Sequence, residues 1–131
     1  MNIKSICIAV LVAGGACQPS AMLAAASDYS FEPVTAHVKK GDDVTVAVRL
    51  IDKRTHKPVP NAVIIQTRID MTPEGMASMM SKLKPLPNPE PGVYAFKTEL
   101  SMQGGWLLSI AAKVQGEPET VTGKVTFKAT P

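Results

Sequence analysis

The chain has 131 residues, room for one ordinary domain, and its 14 lysines and arginines against 11 aspartates and glutamates give a formal charge of +3. At 45% hydrophobic and 19% charged it can build a core, which excludes wholesale disorder, and its length excludes large multidomain enzymes and multi-span membrane proteins. The basic excess is small and scattered, with no run longer than Lys39-Lys40, so nothing supports nucleic-acid binding.

Lys4 is the only charge before Asp28. After it come the apolar run Ile6 to Ala13, then Gly14-Gly15, Gln18-Pro19-Ser20 and Ala24-Ala25-Ala26. A basic start, a short apolar segment and a small-x-small ending make a secretory signal peptide of bacterial type over residues 1–26. Cleavage after Ala26 would leave residues 27–131 as the mature, periplasmic domain. An uncleaved anchor is the first alternative. Gly14, Gly15, Gln18 and Pro19 break its apolar stretch, which falls short of the roughly 20 residues that a spanning helix needs. Lipidation at Cys17 is the second, because Gly15-Ala16-Cys17 is similar to the end of a lipobox, but Gly14 stands where that motif wants a bulky aliphatic residue. With the signal removed, Cys7 and Cys17 are gone and no stable membrane span is expected. The mature domain then has no disulfide, thiolate metal site or cysteine nucleophile.

Strands follow one another from there. Tyr29 to Val38 is predicted as an edge strand, because Pro33 cannot donate to a ladder. Val44, Val46, Val48 and Leu50 alternate with Thr45, Ala47 and Arg49 in a half-buried strand over 43–52. Lys53 to Asn61, with Pro58 and Pro60, is a loop leading into a Val- and Ile-rich strand over 62–71. Thr72 to Pro91 breaks the rhythm. It opens Thr72-Pro73-Glu74-Gly75, allows a helical turn or two over Met76 to Leu83, and closes in four spaced prolines, Pro85, Pro87, Pro89 and Pro91. Strands return at 92–100, 105–115 and 119–129, where Trp106, Leu108 and Ile110 and then Val121, Val125 and Phe127 alternate with polar or small residues. Six or seven short strands with such punctuation predict an all-β, immunoglobulin-like antiparallel β-sandwich with a long Met/Pro-rich connection. That connection is long for a small domain, which often marks function.

Enzyme signatures are missing from residues 27–131. The two histidines, His37 and His56, have no cysteine, G-x-S-x-G or phosphate-cradling glycine loop beside them, and Asp42-Asp43 reads as a solvated turn pair. The methionines are the exception: Met71, Met76, Met79 and Met80 fall within ten residues, from the end of one strand into the long connection, and Met102 follows the next strand. A thioether is soft, has no proton to lose and survives an oxidising compartment, so it suits Cu(I) or Ag(I). The competing reading makes these side chains flexible core filler. If the 72–91 segment crosses from one end of the sandwich to the other, Met71, Met76, Met102 and His37 meet at one pole. Met79 or Met80 could substitute there, and His56 falls at the other pole.

Several stretches resemble the FixH/YtkA-like family of small exported or membrane-tethered β-sandwich domains. They are Val48-Arg49-Leu50-Ile51-Asp52, Lys57-Pro58-Val59-Pro60-Asn61-Ala62, Asp70-Met71 with Gly75-Met76, Pro91-Gly92-Val93-Tyr94, and Leu100-Ser101-Met102-Gln103-Gly104-Gly105-Trp106. The resemblance covers residues 42–128 and implies an accessory of heavy-metal efflux, copper handling or oxidase assembly. The histidine-rich metal motifs of some relatives and a firm FixH-type anchor are absent. Two functional expectations follow. The first is a soft-metal accessory that holds Cu(I) or Ag(I) through Met71, Met76, Met102 and His37 and hands it to an envelope partner. The second is a metal-free interaction module docking onto an envelope efflux or oxidase-assembly complex.

Overall fold

The computed structural model describes residues 28–131, so the leader, its cleavage point and Cys17 lie outside the described residues. Ten strands are present among the described residues: β1 (Tyr29–Pro33), β2 (His37–Lys39), β3 (Gly41–Asp52), β4 (Lys57–Pro58), β5 (Val63–Met71), β6 (Met76–Ser81), β7 (Leu83–Pro85), β8 (Val93–Leu100), β9 (Gly104–Lys113) and β10 (Val121–Thr130). One sheet runs β1-β3-β8-β7 with β4 pairing β3, and the other runs β2-β10-β9-β5-β6. Every pairing is antiparallel except β2 on β10. The protein is therefore an all-β sandwich of immunoglobulin-like character.

The alternation in the sequence is the alternation of burial. Val44, Val46, Val48 and Leu50 of β3 face Trp106, Leu108 and Ile110 of β9 and Val121, Val125 and Phe127 of β10 in one core, with Tyr94 and Phe96 of β8 among them. Each such side chain contributes about 1.5–3 kcal/mol of burial free energy. The Trp106 indole Nε1 finds its partner in the Met102 carbonyl at 3.0 Å. Tyr94 donates its hydroxyl to the Val59 carbonyl at 2.6 Å and accepts the Ala62 N–H at 3.0 Å, which ties the proline-rich loop to the start of β5.

Three elements differ from the sequence expectation, the smallest being the two-residue β4, which pairs with β3 inside the predicted 53–61 loop. The first predicted strand is split between the sheets. β1 ends at Pro33, Val34 N–H still reaches Ala47 O at 3.0 Å, and the chain then crosses to lie parallel to β10 as β2. The long connection holds no helical turn over Met76 to Leu83. Thr72–Glu74 forms a single 3-10 turn with a proline in its first positions, closed by Gly75 at a left-handed φ of 77°. The chain then folds back on β5 as β6 and changes sheets to join β8 as β7. A helix of one or two turns cannot offset its nucleation cost, whereas the edges of β5 and β8 offer ladder bonds at once. The predicted crossover is real, and it places the end of β5, the β8–β9 turn and the end of β10 at one pole.

The opposite pole is closed by a polar clasp. The Arg54 guanidinium donates to both Asp52 carboxylate oxygens at 3.0 and 3.1 Å and to the Tyr29 hydroxyl at 3.1 Å. It also stands 5.5 Å from the Tyr29 ring centroid. The Tyr29 hydroxyl donates to the Glu117 carboxylate. Burial above all, with that carboxylate beside it, pushes the Tyr29 pKa up to about 12.

Candidate functional site

The methionine pole is organised by a buried carboxylate. Asp70 is 4% exposed and accepts the Thr72 N–H at 2.9 Å, the Thr72 hydroxyl at 2.5 Å and Arg68 Nε at 2.6 Å. The Thr72 hydroxyl bond first, and then Arg68, hold its pKa below the usual carboxylate range in spite of desolvation. The turn that follows is pinned from above, because Glu74 accepts the Gly105 N–H at 2.8 Å. These contacts set Met71 and Met76 directly opposite each other across β5 and β6.

The sulfur-bearing residues differ in access. Met71 has no exposed surface and sits in the core, and Met76 is half-buried against it. Met102 reaches the same pole and is 40% exposed. Met79 and Met80 lie further along β6, both exposed. The register passes from Asp70↔Met80 to Met71↔Met76, so Ala77, Ser78 and Met79 bulge outward, and Arg68 Nη2 donates to the Ala77 carbonyl at 2.9 Å beneath them. His37 is exposed on β2, at the edge of the sheet opposite β6. It is level with the pole, but three strand spacings, about 14 Å, separate β2 from β5. The fold thus gathers Met71, Met76 and Met102 at one end and leaves His37 across the sheet. His56 turns the chain at the far pole with φ 60°, and Asp43 pairs with Lys97 at 3.2 Å. No group of three or more His, Cys, Asp or Glu is placed to hold a metal ion among the described residues.

A second feature lies along β5. This strand pairs with β9 from Val63 to Asp70 but with β6 only from Ile69 to Met71. Its outer edge over Val63 to Arg68 therefore has no strand partner among the described residues. A β-bulge between Ile64 and Gln66 leaves Ile65 as the extra residue, without a partner on β9. Val63 is 61% and Ile65 50% exposed. Beside them a groove of about 380 Å³ opens between the sheets, walled by Ile64, Ile65 and Leu86 and floored by Tyr94 and Phe96.

Sequence reasoning missed both Asp70 and this edge. The signal for Asp70 was Asp-x-Thr at a strand end, the spacing at which a carboxylate bonds the backbone two residues on. The signal for the edge was Val63-Ile64-Ile65, three consecutive apolar residues that cannot all face one core in a strand of period two.

A family model described as YtkA-like matches residues 23–111, most of the chain. No curated protein matches. Among solved structures the chain is similar to the ZirS C-terminal domain, at 10% identity and TM-score 0.44 over 100% of this chain and 88% of that one. It is also similar to the Lin-41 filamin domain, at 19% identity and TM-score 0.42 over 73% and 91%. The Escherichia coli adhesin FdeC is similar at 18% identity and TM-score 0.33 over 79% of this chain and 31% of that one. The chain belongs to the YtkA-like family.

Proposed function

We propose that this YtkA-like domain is an exported, non-catalytic binding module that captures an extended segment of an envelope partner along the unpaired edge of β5. One observation carries the reading: an uncharged run, Ala62 to Thr67, presents free ladder positions beside two exposed β-branched side chains and an apolar groove. An exposed apolar edge is a template for another strand, and native chains normally blunt such edges with charge or proline. β6 and β7 at the neighbouring edges are blunted, one by its bulge and the other by Pro85. An added strand would take affinity from backbone hydrogen bonds and specificity from a side chain seated between Ile65 and Leu86. The test is site-specific photocrosslinking in cells that export the protein. A photoreactive residue at Ile65 should give one discrete adduct, the same probe at Thr45 on the other sheet should give none, and Ile65→Lys should abolish capture at Val63. Equal adducts from both faces, or none from either, would overturn the reading.

Thioether coordination of Cu(I) or Ag(I) is the second reading, favoured by the Met71↔Met76 pair and by Met102 at the same pole. The donor chemistry fits a soft monovalent ion, with Met71 reached only by local opening of the turn over it. Thioethers carry no proton to lose, so such a site keeps its affinity in mild acid. Cu(I) competition titrations at two pH values, comparing the natural chain with Met71→Leu, Met76→Leu and Met102→Leu, decide it. Equal affinity in all four proteins excludes the thioether site.

A further inference from the structure

The outer faces of the two sheets carry different charge. On the sheet of β1, β3, β8 and β7, outward positions balance Arg49, Lys84 and Lys97 against Glu32, Asp43 and Glu99. On the other sheet the outward positions carry Lys39, Arg68, Lys113, Lys124 and Lys128 against Asp70 alone. Asp70 is buried and already matched by Arg68. The four lysines have no ion pair among the described residues.

Relief accompanies the charge. Register places Gln66, Ala111 and Thr122 in one cross-strand row, and Arg68, Ser109 and Lys124 in the next. The central residue of each row is small and the flanking ones are longer, so a trough of about 450 Å³ runs along β9 between β5 and β10. Its walls stand two strand spacings apart, about 10 Å, the width of one extended chain with its side chains. The Ser109 hydroxyl on its floor has no hydrogen-bond partner among the described residues, and the Gln66 amide and Thr122 hydroxyl line its sides. Lys124 and Lys128 follow each other on β10 at a spacing of about 13 Å.

We infer that this trough binds an extended acidic peptide segment of a partner protein, with a carboxylate between Lys124 and Ser109. The charge of the face selects an anion, and the one-strand width selects a chain over a broad surface. A bilayer would need protruding cations around exposed apolar side chains, whereas the floor here is recessed and formed by Ser109 and Ala111. The inference is independent of capture at the β5 edge, since the carboxylate partners lie on β9 and β10.

The test uses a short fluorescein-labelled peptide alternating Asp and Val, a Lys and Val control, and vesicles of phosphatidylglycerol with phosphatidylcholine. Anisotropy titration should show saturable binding of the acidic peptide alone. Raising salt from about 0.1 M to about 1 M, which shortens the screening length from about 10 Å to about 3 Å, should weaken it at least about tenfold. Lys124→Glu should weaken binding by about tenfold or more, and Ser109→Gln, which fills the trough without changing charge, should also weaken it. Both positions face solvent, and unchanged urea midpoints would show that the variants fold. Amide shifts in the natural protein should concentrate on Ser109, Ala111, Thr122 and Lys124. Ile65→Lys, which disables the β5 edge, should leave peptide affinity unchanged. Peptide binding untouched by Lys124→Glu, shifts confined elsewhere, binding lost with Ile65→Lys, or vesicles that displace the peptide would each overturn the assignment.

Discussion

Removing the Asp70 carboxylate should unlock the methionine pole. Asp70→Ala deletes the acceptor of three hydrogen bonds, at 2.5, 2.6 and 2.9 Å. The Arg68 side chain is 48% exposed and regains water, so its pairing is discounted to a few tenths of a kcal/mol. The Thr72 N–H and hydroxyl lose bonds to a charged acceptor, each worth about 1.5–3 kcal/mol where water cannot replace it. Allowing partial rehydration of the hydroxyl, the cost comes to about 2–4 kcal/mol, a large share of the 5–15 kcal/mol or so that holds an ordinary domain. Asp70→Asn keeps the volume and isolates the charge. The folded pKa of Asp70 is depressed, so its stabilisation is complete above the unfolded pKa of about 3.9 and is lost as pH falls through the folded value. The gap between the natural protein and Asp70→Asn should therefore be full at neutral pH, begin to close near pH 4, and vanish in stronger acid. Urea denaturation followed by the fluorescence of Trp106, the single tryptophan, reads both quantities. A gap below about 0.5 kcal/mol at neutral pH, or one that does not narrow with acid, would show that the carboxylate does not organise the turn.

Leu108→Ala, at a fully buried centre of β9, should cost about 2–5 kcal/mol in the same denaturation assay. Tyr94→Phe removes the hydroxyl that bridges Val59 and Ala62, and should cost about 1–2 kcal/mol while leaving the rest of the amide spectrum in place. A Cβ at Gly123 would stand 2.5 Å from Phe31 Cδ2, so Gly123→Ala should force β1 off β10 and cost about 1–3 kcal/mol, with hydrogen exchange rising first in Tyr29–Pro33. Terminal sequencing of exported protein should begin at Ser27; a lipid on Cys17 or an intact Met1 would contradict the leader assignment.

The strand pattern was readable because burial in a two-sheet sandwich enforces a period of two, and β3, β9 and β10 obey it almost residue by residue. Counting strand directions also put the end of β5 and the β8–β9 turn at one pole. What escaped were events decided between strands. Nothing local to Tyr29–Val38 says that the chain must change sheets after Pro33. Met76 to Leu83 has neither strand nor helix period strong enough to overrule the free edges offered to it. The His37 position shows the same limit from another side: strand direction fixes which pole a residue reaches, but lateral order within a sheet depends on pairing, and pairing put β2 beyond β10. The trough on β9 was invisible for that reason too, since Arg68, Ser109 and Lys124 lie far apart in the chain and meet only through register.

The placing of the first and last strands has a mechanical consequence. β1 begins beside Asp52 at the clasp pole, while β10 ends beside Gly104 and Lys39 at the methionine pole. Tension applied through residues 28 and 131 would act along the strand axes. It would slide β1 against β3, and β2 against the parallel β10, loading each ladder's hydrogen bonds together and not one after another. Arg54, held by Asp52 and reaching Tyr29, and Phe31, seated over Gly123, would resist the first ångströms of that slip. A domain strung between two anchors in this way would yield late and abruptly, with its apolar interior still covered until the terminal ladders give.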